Sequence, residues 1–370
     1  MRLKEKDFWL GFNIFKGIGP KRFQHLLKVF GSARRAWKAS AKELRETKLP
    51  SSIIKHFLLF RQETNLAKTV LELEKKLIRY ITLQDKEYPP NLKKISFPPP
   101  TLFLKGKIIP QDTLAIGVIG TRKITPYGRE VTEKLTAGLT ACGLTIISGL
   151  ARGVDSVSHR VSLGSGGRTL AVLGSGLDRI YPPEHQALAE KIVKSGALIS
   201  ALAPGTPPLK GHFPSRNRLI SGLSLGILVT EGAAVSGTKI TSRFCLKQGR
   251  KLLAVPGPIT SSLSEGPADL IKMGARLVTK VEDILEELEV KKRPALPGQK
   301  EDPALTKKGE IKFKDREEEL IWQSLTEGGR HIDEIIRQTG FSSAEVLSVL
   351  TELELAGKVK NIGQGNYIII

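Results

Sequence analysis

The sequence predicts an α/β protein built on a Rossmann-like, doubly wound, mostly parallel sheet. Three observations predict it. Short apolar runs alternate with helical stretches between residues 113 and 288, several of those runs end in glycine, and none approaches the ~20 residues that a membrane span needs.

Taken in chain order, residues 1–80 read as helical. An apolar cluster (Phe8, Trp9, Leu10, Phe12, Ile14) leads into Gly17-Ile18-Gly19-Pro20-Lys21-Arg22, then into a periodic stretch from Phe23 to Phe30. A Gly-hydrophobe-Gly turn between helices marks a helix-hairpin-helix or SAM-like domain. It presents bare helix N–H groups to a phosphate, or it is a turn in a protein-interaction module. Prolines 89, 90, 98, 99 and 100 then mark an extended crossing.

The domain over 88–288 carries the strand candidates Leu114–Ile119, Leu144–Ser148, Thr169–Leu173, Ala197–Ser200, Gly226–Thr230 and Leu252–Val255. Helices such as Tyr127–Ala141 and Lys239–Gly249 fall between them. In such a sheet, ligands bind outside the carboxyl ends of the strands. Residues 291–314, with Pro294, Pro297 and Pro303, read as a linker. Residues 315–370 read as three helices and a β-hairpin, a winged helix.

Charge narrows the partners. The chain carries +21, but residues 315–370 hold five Lys/Arg against ten Asp/Glu, leaving +26 on the first 314. A basic body of this strength suggests a polyanion, nucleic acid before membrane. The acidic winged helix reads as a protein-interaction or regulatory module, or as a duplex binder if one face is basic. The charged N-terminus Met1–Asp7 leads into no signal-type core, so a soluble, cytoplasmic protein is expected. Two distant cysteines, Cys142 and Cys245, and six scattered histidines show no metal spacing; no metal and no cofactor are expected.

Enzyme motifs appear and fail on context. Gly222-Leu223-Ser224-Leu225-Gly226 matches G-x-S-x-G, but a helix precedes it and a strand follows, the reverse of a nucleophile elbow. Gly237-Thr238-Lys239 swaps the order that a Walker loop requires. Gly174-Ser175-Gly176 lacks the third glycine of a dinucleotide fingerprint.

Phosphate-binding chemistry is what does recur at strand ends. Gly120-Thr121-Arg122 offers close backbone approach, a hydroxyl and a bidentate guanidinium. Ser148 and Gly149 with Arg152 repeat this after the second strand, and Gly174-Ser175-Gly176 after the third. Ser236-Gly237-Thr238 opens a helix. Lys210, Arg216 and Arg218 add charge beside Phe213 and Asn217. Aromatics are only 6% of residues, so affinity is expected mainly from phosphate contacts, with Phe213 as a lone stacking platform.

These segments resemble the DNA-processing protein A (DprA/Smf) family. The resemblance rests on Gly120-Thr121-Arg122, Ser148 to Asp155 with His159, Gly176-Leu177-Asp178 with Tyr181-Pro182, Phe213-Pro214-Ser215-Arg216-Asn217-Arg218 with Gly222-Leu223-Ser224, Ser236-Gly237-Thr238, and Ala254 to Gly257. It implies a non-catalytic homodimer that binds single-stranded DNA and delivers the RecA recombinase to it in natural transformation. Arg122 then takes the place of the DNA-gripping arginine, and Arg216, Asn217 and Arg218 that of the basic pocket. The chain departs from the family at Ala201, where Ser-Glu is usual, and at Ala268 and His185, where asparagine is common.

Two rival readings stand beside this one. A Rossmann-like hydrolase acting on nucleoside monophosphates would need a pocket carboxylate, best Glu231, then Asp155. A scaffold would use the winged helix as its working part.

Overall fold

The computed structural model describes residues 2–290, 313–325, 330–363 and 365–369. The stretch read as a linker lies outside them except for Phe313 and Lys314, as does Gln364 in the expected hairpin turn. The described residues fall into two compact units, before and after residue 300.

In the first unit, six helices open the chain: α1 (Glu5–Ile14), α2 (Pro20–Phe30), α3 (Ala33–Lys38), α4 (Ala41–Glu46), α5 (Ser51–Glu63) and α6 (Leu66–Lys75). Capping sets their starts: Ser32, Ser40 and Asn65 each accept a first-turn N–H. Phe12, Phe23, Trp37 and Phe57 form an aromatic core with ring centroids 5.1–5.4 Å apart along the chain of contacts through Phe12.

The helical reading fails at its end. Arg79–Thr82 is a strand (β1), paired antiparallel with β2 (Thr101–Gly106). A four-residue run whose partner lies twenty residues away gives too little local pattern to separate it from a helix tail. The proline-rich crossing is also not wholly extended, since Pro90–Lys93 forms the short helix α7.

The parallel core follows as β3 (Ala115–Ile119), α8 (Pro126–Ala141), β4 (Thr145–Ser148), α9 (Val154–Gly164), β5 (Thr169–Val172), α10 (Gln186–Ser195), β6 (Ala197–Ser200), α11 (His212–Leu223), β7 (Gly226–Val229), α12 (Gly237–Lys247), β8 (Lys251–Ala254), α13 (Glu265–Lys272), β9 (Arg276–Leu277) and α14 (Val281–Glu287). The nine-stranded sheet runs β1-β2-β6-β5-β4-β3-β7-β8-β9, antiparallel only at β1–β2 and β2–β6. β3 through β7 are buried along their whole length, as parallel strands covered on both faces must be. Ile116 and Val118 of β3 pack with Leu135 and Leu139 of α8 on one face, and Ala115 and Ile119 with Ile220 and Leu223 of α11 on the other. Leu10 of α1 and Leu73 of α6 join Phe103 of β2 and Leu198 of β6, so the N-terminal helices cover the antiparallel end of the sheet.

The strand order places a switch point at β3. The chain proceeds from β3 to β4 on one side, and β7 lies on the other. A crevice opens at their carboxyl ends.

The second unit has the winged-helix arrangement: α15 (Arg316–Leu325), β10 (Arg330–His331), α16 (Ile332–Thr339), α17 (Ser343–Leu355), β11 (Val359–Gly363) and β12 (Asn366–Ile369). Its three strands run β10-β12-β11, and Ile321, Ile335, Leu350 and Tyr367 pack in its core. β10 is an addition to the expected hairpin.

Candidate nucleic-acid interface

At the switch point lies a cleft of about 460 Å³. Gly120, Thr121 and Arg122 form one wall, Arg216 and Asn217 of α11 another, and Ser236, Gly237 and Thr238 at the start of α12 a third. Eight of the residues picked out by sequence thus share one cavity.

Its loops are braced by one another. Thr121 N donates to Glu231 O (2.8 Å), and Val154 N to Thr121 O (3.1 Å). A Cβ on Gly120 would overlap Val154 Cγ2, and one on Gly153, which has a positive φ of 71°, would overlap Thr121 O. The protein's own packing therefore requires glycine at both positions along the cleft wall. Buried Leu150 holds the positive φ of 61° beside it. Its carbonyl lies 2.8 Å from His185 Nδ1, a contact in which the ring N–H donates. His185 thus ties the loop before α10 to the loop after β4.

Cation and ring chemistry meet at Phe213. The Arg122 and Arg216 guanidinium carbons lie 5.5 and 5.7 Å from its centroid. Gly174 lies under the ring: a Cβ there would be 3.1 Å from Phe213 Cδ1. Tyr181, on the loop after β5 and 42% exposed, stands 6.1 Å from the same ring, centroid to centroid. The sequence reading missed this second aromatic, although its Tyr-Pro pair was among the matching segments.

The two arginines differ. Arg122 is exposed and, among the described residues, forms no ion pair. Arg216 is only 6% exposed; its Nη1 reaches Val172 O (3.3 Å) and stands 3.7 Å from Asp155 Oδ2. Burial pulls its pKa below the ordinary arginine value, while Asp155 opposes that shift. Asp155, in the first turn of α9, also accepts from Gly149 N (3.1 Å) and Ala151 N (3.3 Å). Arg216 is thus a buried, pre-oriented cation at the cleft wall, and Arg122 a free one at the rim.

Other expected contacts fall elsewhere. The amides of Thr121, Gly149 and Gly176 donate to Glu231 O, Asp155 Oδ2 and Thr206 O, so they are not available to an anion. Among the four turns, α12 does keep open first-turn amides, since Ser236 makes no side-chain cap. Ser148 Oγ donates to Val118 O and Ser175 Oγ to Arg179 O, and both side chains are buried. Arg152 pairs with Glu184 (2.5 Å) at the surface. Arg218 Nη1 and Nη2 donate to Ser96 O (2.8 Å) and Phe97 O (3.1 Å), so this residue pins the proline-rich crossing and is not in the cleft. Lys210 is exposed on the loop before α11.

The hydrolase candidates are engaged as well. Glu231 is 3% exposed and accepts from Thr125 N (3.0 Å) and Thr125 Oγ1 (2.6 Å), bracing the start of α8. Ser224 of the G-x-S-x-G match is buried and donates to Ile220 O. Among the described residues no cluster of His, Cys, Asp and Glu could hold a metal ion, and no helix is long and apolar enough to cross a membrane.

Comparison with known proteins places this geometry. The family model "DNA recombination-mediator protein A" matches residues 79–289, and "DprA winged helix domain" matches 300–365. Protein Smf of Synechocystis sp. is 31% identical over 387 residues, covering 97% of each chain. The X-ray structure of DNA processing protein A from Streptococcus pneumoniae is similar with a TM-score of 0.66 and 30% identity, over 78% of this chain and 99% of that one. DNA processing protein A of Helicobacter pylori, described for its single-stranded DNA binding mode, is similar with a TM-score of 0.52 and 28% identity, over 57% and 96%.

Proposed function

The chain belongs to the DNA recombination-mediator protein A family, and on that premise we propose that it binds single-stranded DNA in the cleft between β3 and β7. Phosphates meet Arg122 at the rim, buried Arg216 at the wall and the open amides of α12. A base lies against Phe213. The observation that carries this reading is the placement of Arg122 and Arg216 on one aromatic ring at the mouth of one cleft.

The same reading makes the protein a non-catalytic, cytoplasmic homodimer that takes part in DNA processing during transformation and loads the RecA recombinase. The homodimer and the RecA step rest on the family resemblance. Binding without turnover is supported by Glu231 and Asp155, whose oxygens hold backbone amides and Arg216 rather than facing a substrate unengaged.

Gel-shift titration tests it. Single-stranded DNA should bind more tightly than duplex of the same length, and incubation with nucleoside monophosphates should release no free base. Equal affinity for the two DNA forms, or base release abolished by Glu231→Gln, would overturn it.

A further inference from the structure

A second groove, also about 460 Å³, lies on the other side of α11 between that helix and the turn after α1. Phe15, Lys16 and Gly19 line one wall, Ser215 and Arg216 the other, and Ala201 lies at the carboxyl end of β6. Arg216 thus borders both this groove and the cleft. It is more than nine-tenths buried, and its Nε has no hydrogen-bond partner among the described residues.

The helical layer that builds this groove is strongly and openly cationic. Residues 2–75 hold 17 Lys/Arg against 7 Asp/Glu, a net +10. Among the described residues, none of the 17 makes an ion pair. Three of the seven carboxylates are engaged with main-chain groups: Glu5 accepts from Ala33 N, Asp7 from Lys4 N, and Glu43 from Ser40 N. The turn ends at α2, which starts with Pro20 after an uncapped Gly19 and leaves the amides of its first turn open. Exposed Lys16 and Lys21 flank that turn. No Asp or Glu stands among the described residues that line the groove, and Ala201 at its edge carries no charge.

We propose that the strand bound in the cleft continues past Arg216 into this groove. A base rests against Phe15, and phosphates are held by Lys16, Lys21 and the open amides of α2. The inference rests on the single-stranded DNA reading of the cleft and extends its track onto the helical layer. Charge complementarity selects the occupant: a groove with apolar rings below and unpaired cations along its rim fits an unpaired polynucleotide, whose bases and phosphates are both free.

The test uses the full chain with two oligothymidylates, one just filling the cleft and one several times longer, measured by fluorescence anisotropy across salt concentrations. The wild type should bind the longer strand more tightly. Lys16→Gln/Lys21→Gln and, separately, Ala201→Glu should weaken the long strand about tenfold while leaving the short one unchanged. The double variant should also lose about 1.4 from the long-strand salt slope, ~0.7 per phosphate contact. Equal binding of both lengths by the wild type, long-strand binding unaffected by these variants, or a loss confined to duplex DNA would overturn the groove. Absence of wild-type binding to the short strand would overturn the cleft reading itself, whereas Arg122→Ala should weaken both lengths.

Discussion

Gly149 and Arg216 are fitted to one another: a Cβ on Gly149 would overlap the Arg216 Nη1 atom and lie 2.7 Å from Asp155 Oδ2. The missing side chain after β4 is therefore a seat for a guanidinium arriving from α11. Gly149→Ala should displace Arg216 from Asp155, cost about 1–3 kcal/mol by overpacking, and weaken single-stranded DNA binding. Gly164→Ala is the control, since a Cβ there meets nothing within 4 Å. Chemical denaturation and anisotropy on both variants check this; equal behaviour of the two would count against the seat.

Arg218 should behave unlike its neighbour. Its two hydrogen bonds to Ser96 O and Phe97 O tie α11 to the crossing before β2. Arg218→Ala should lower stability by about 1–3 kcal/mol. The salt slope of short-strand binding should not change, because no phosphate contact in the cleft is removed. A reduced slope would return Arg218 to the DNA-binding set.

His159 gives the fold an acid sensitivity. It is fully buried on α9, its Nδ1 lies 2.6 Å from Thr169 Oγ1, and burial, aided by nearby His185, Arg216 and Arg160, pushes its pKa down to about 3. Below the ordinary value of about 6.5, the unfolded chain takes up a proton that the folded chain refuses. Stability should therefore fall on acidification from about pH 6.5 toward 3, by up to about 1 kcal/mol per unit from this group, and be level above that window. His159→Asn should flatten that part of the curve in urea midpoints taken across pH. A wild type and variant with parallel pH curves would refute the assignment.

The parts of this architecture that sequence could reveal are those with strong local patterns. β3 to β7 are legible because strands buried on both faces read as unbroken apolar runs. The β1–β2 extension is not, since its pairing with β6 is set by segments nearly a hundred residues apart. In the cleft, residue type identified Arg122, Phe213 and Arg216, but not their roles. Arg216 and Arg218 look equivalent in sequence; two positions apart on a helix, they point in different directions, one to Asp155 and the other to backbone carbonyls. The glycine turns suggested free amides, but what occupies those amides (Glu231 O, Asp155 Oδ2, Thr206 O) is decided by tertiary packing alone.

The most direct measurement is the affinity of wild type and Arg122→Ala for single-stranded DNA over a range of salt. Arg122 is exposed and unpaired among the described residues, so its removal should leave the fold intact. The log–log salt slope should fall by about 0.7, with weaker binding at every salt concentration. Identical affinity and slope in the two proteins would show that DNA does not enter the cleft at the switch point.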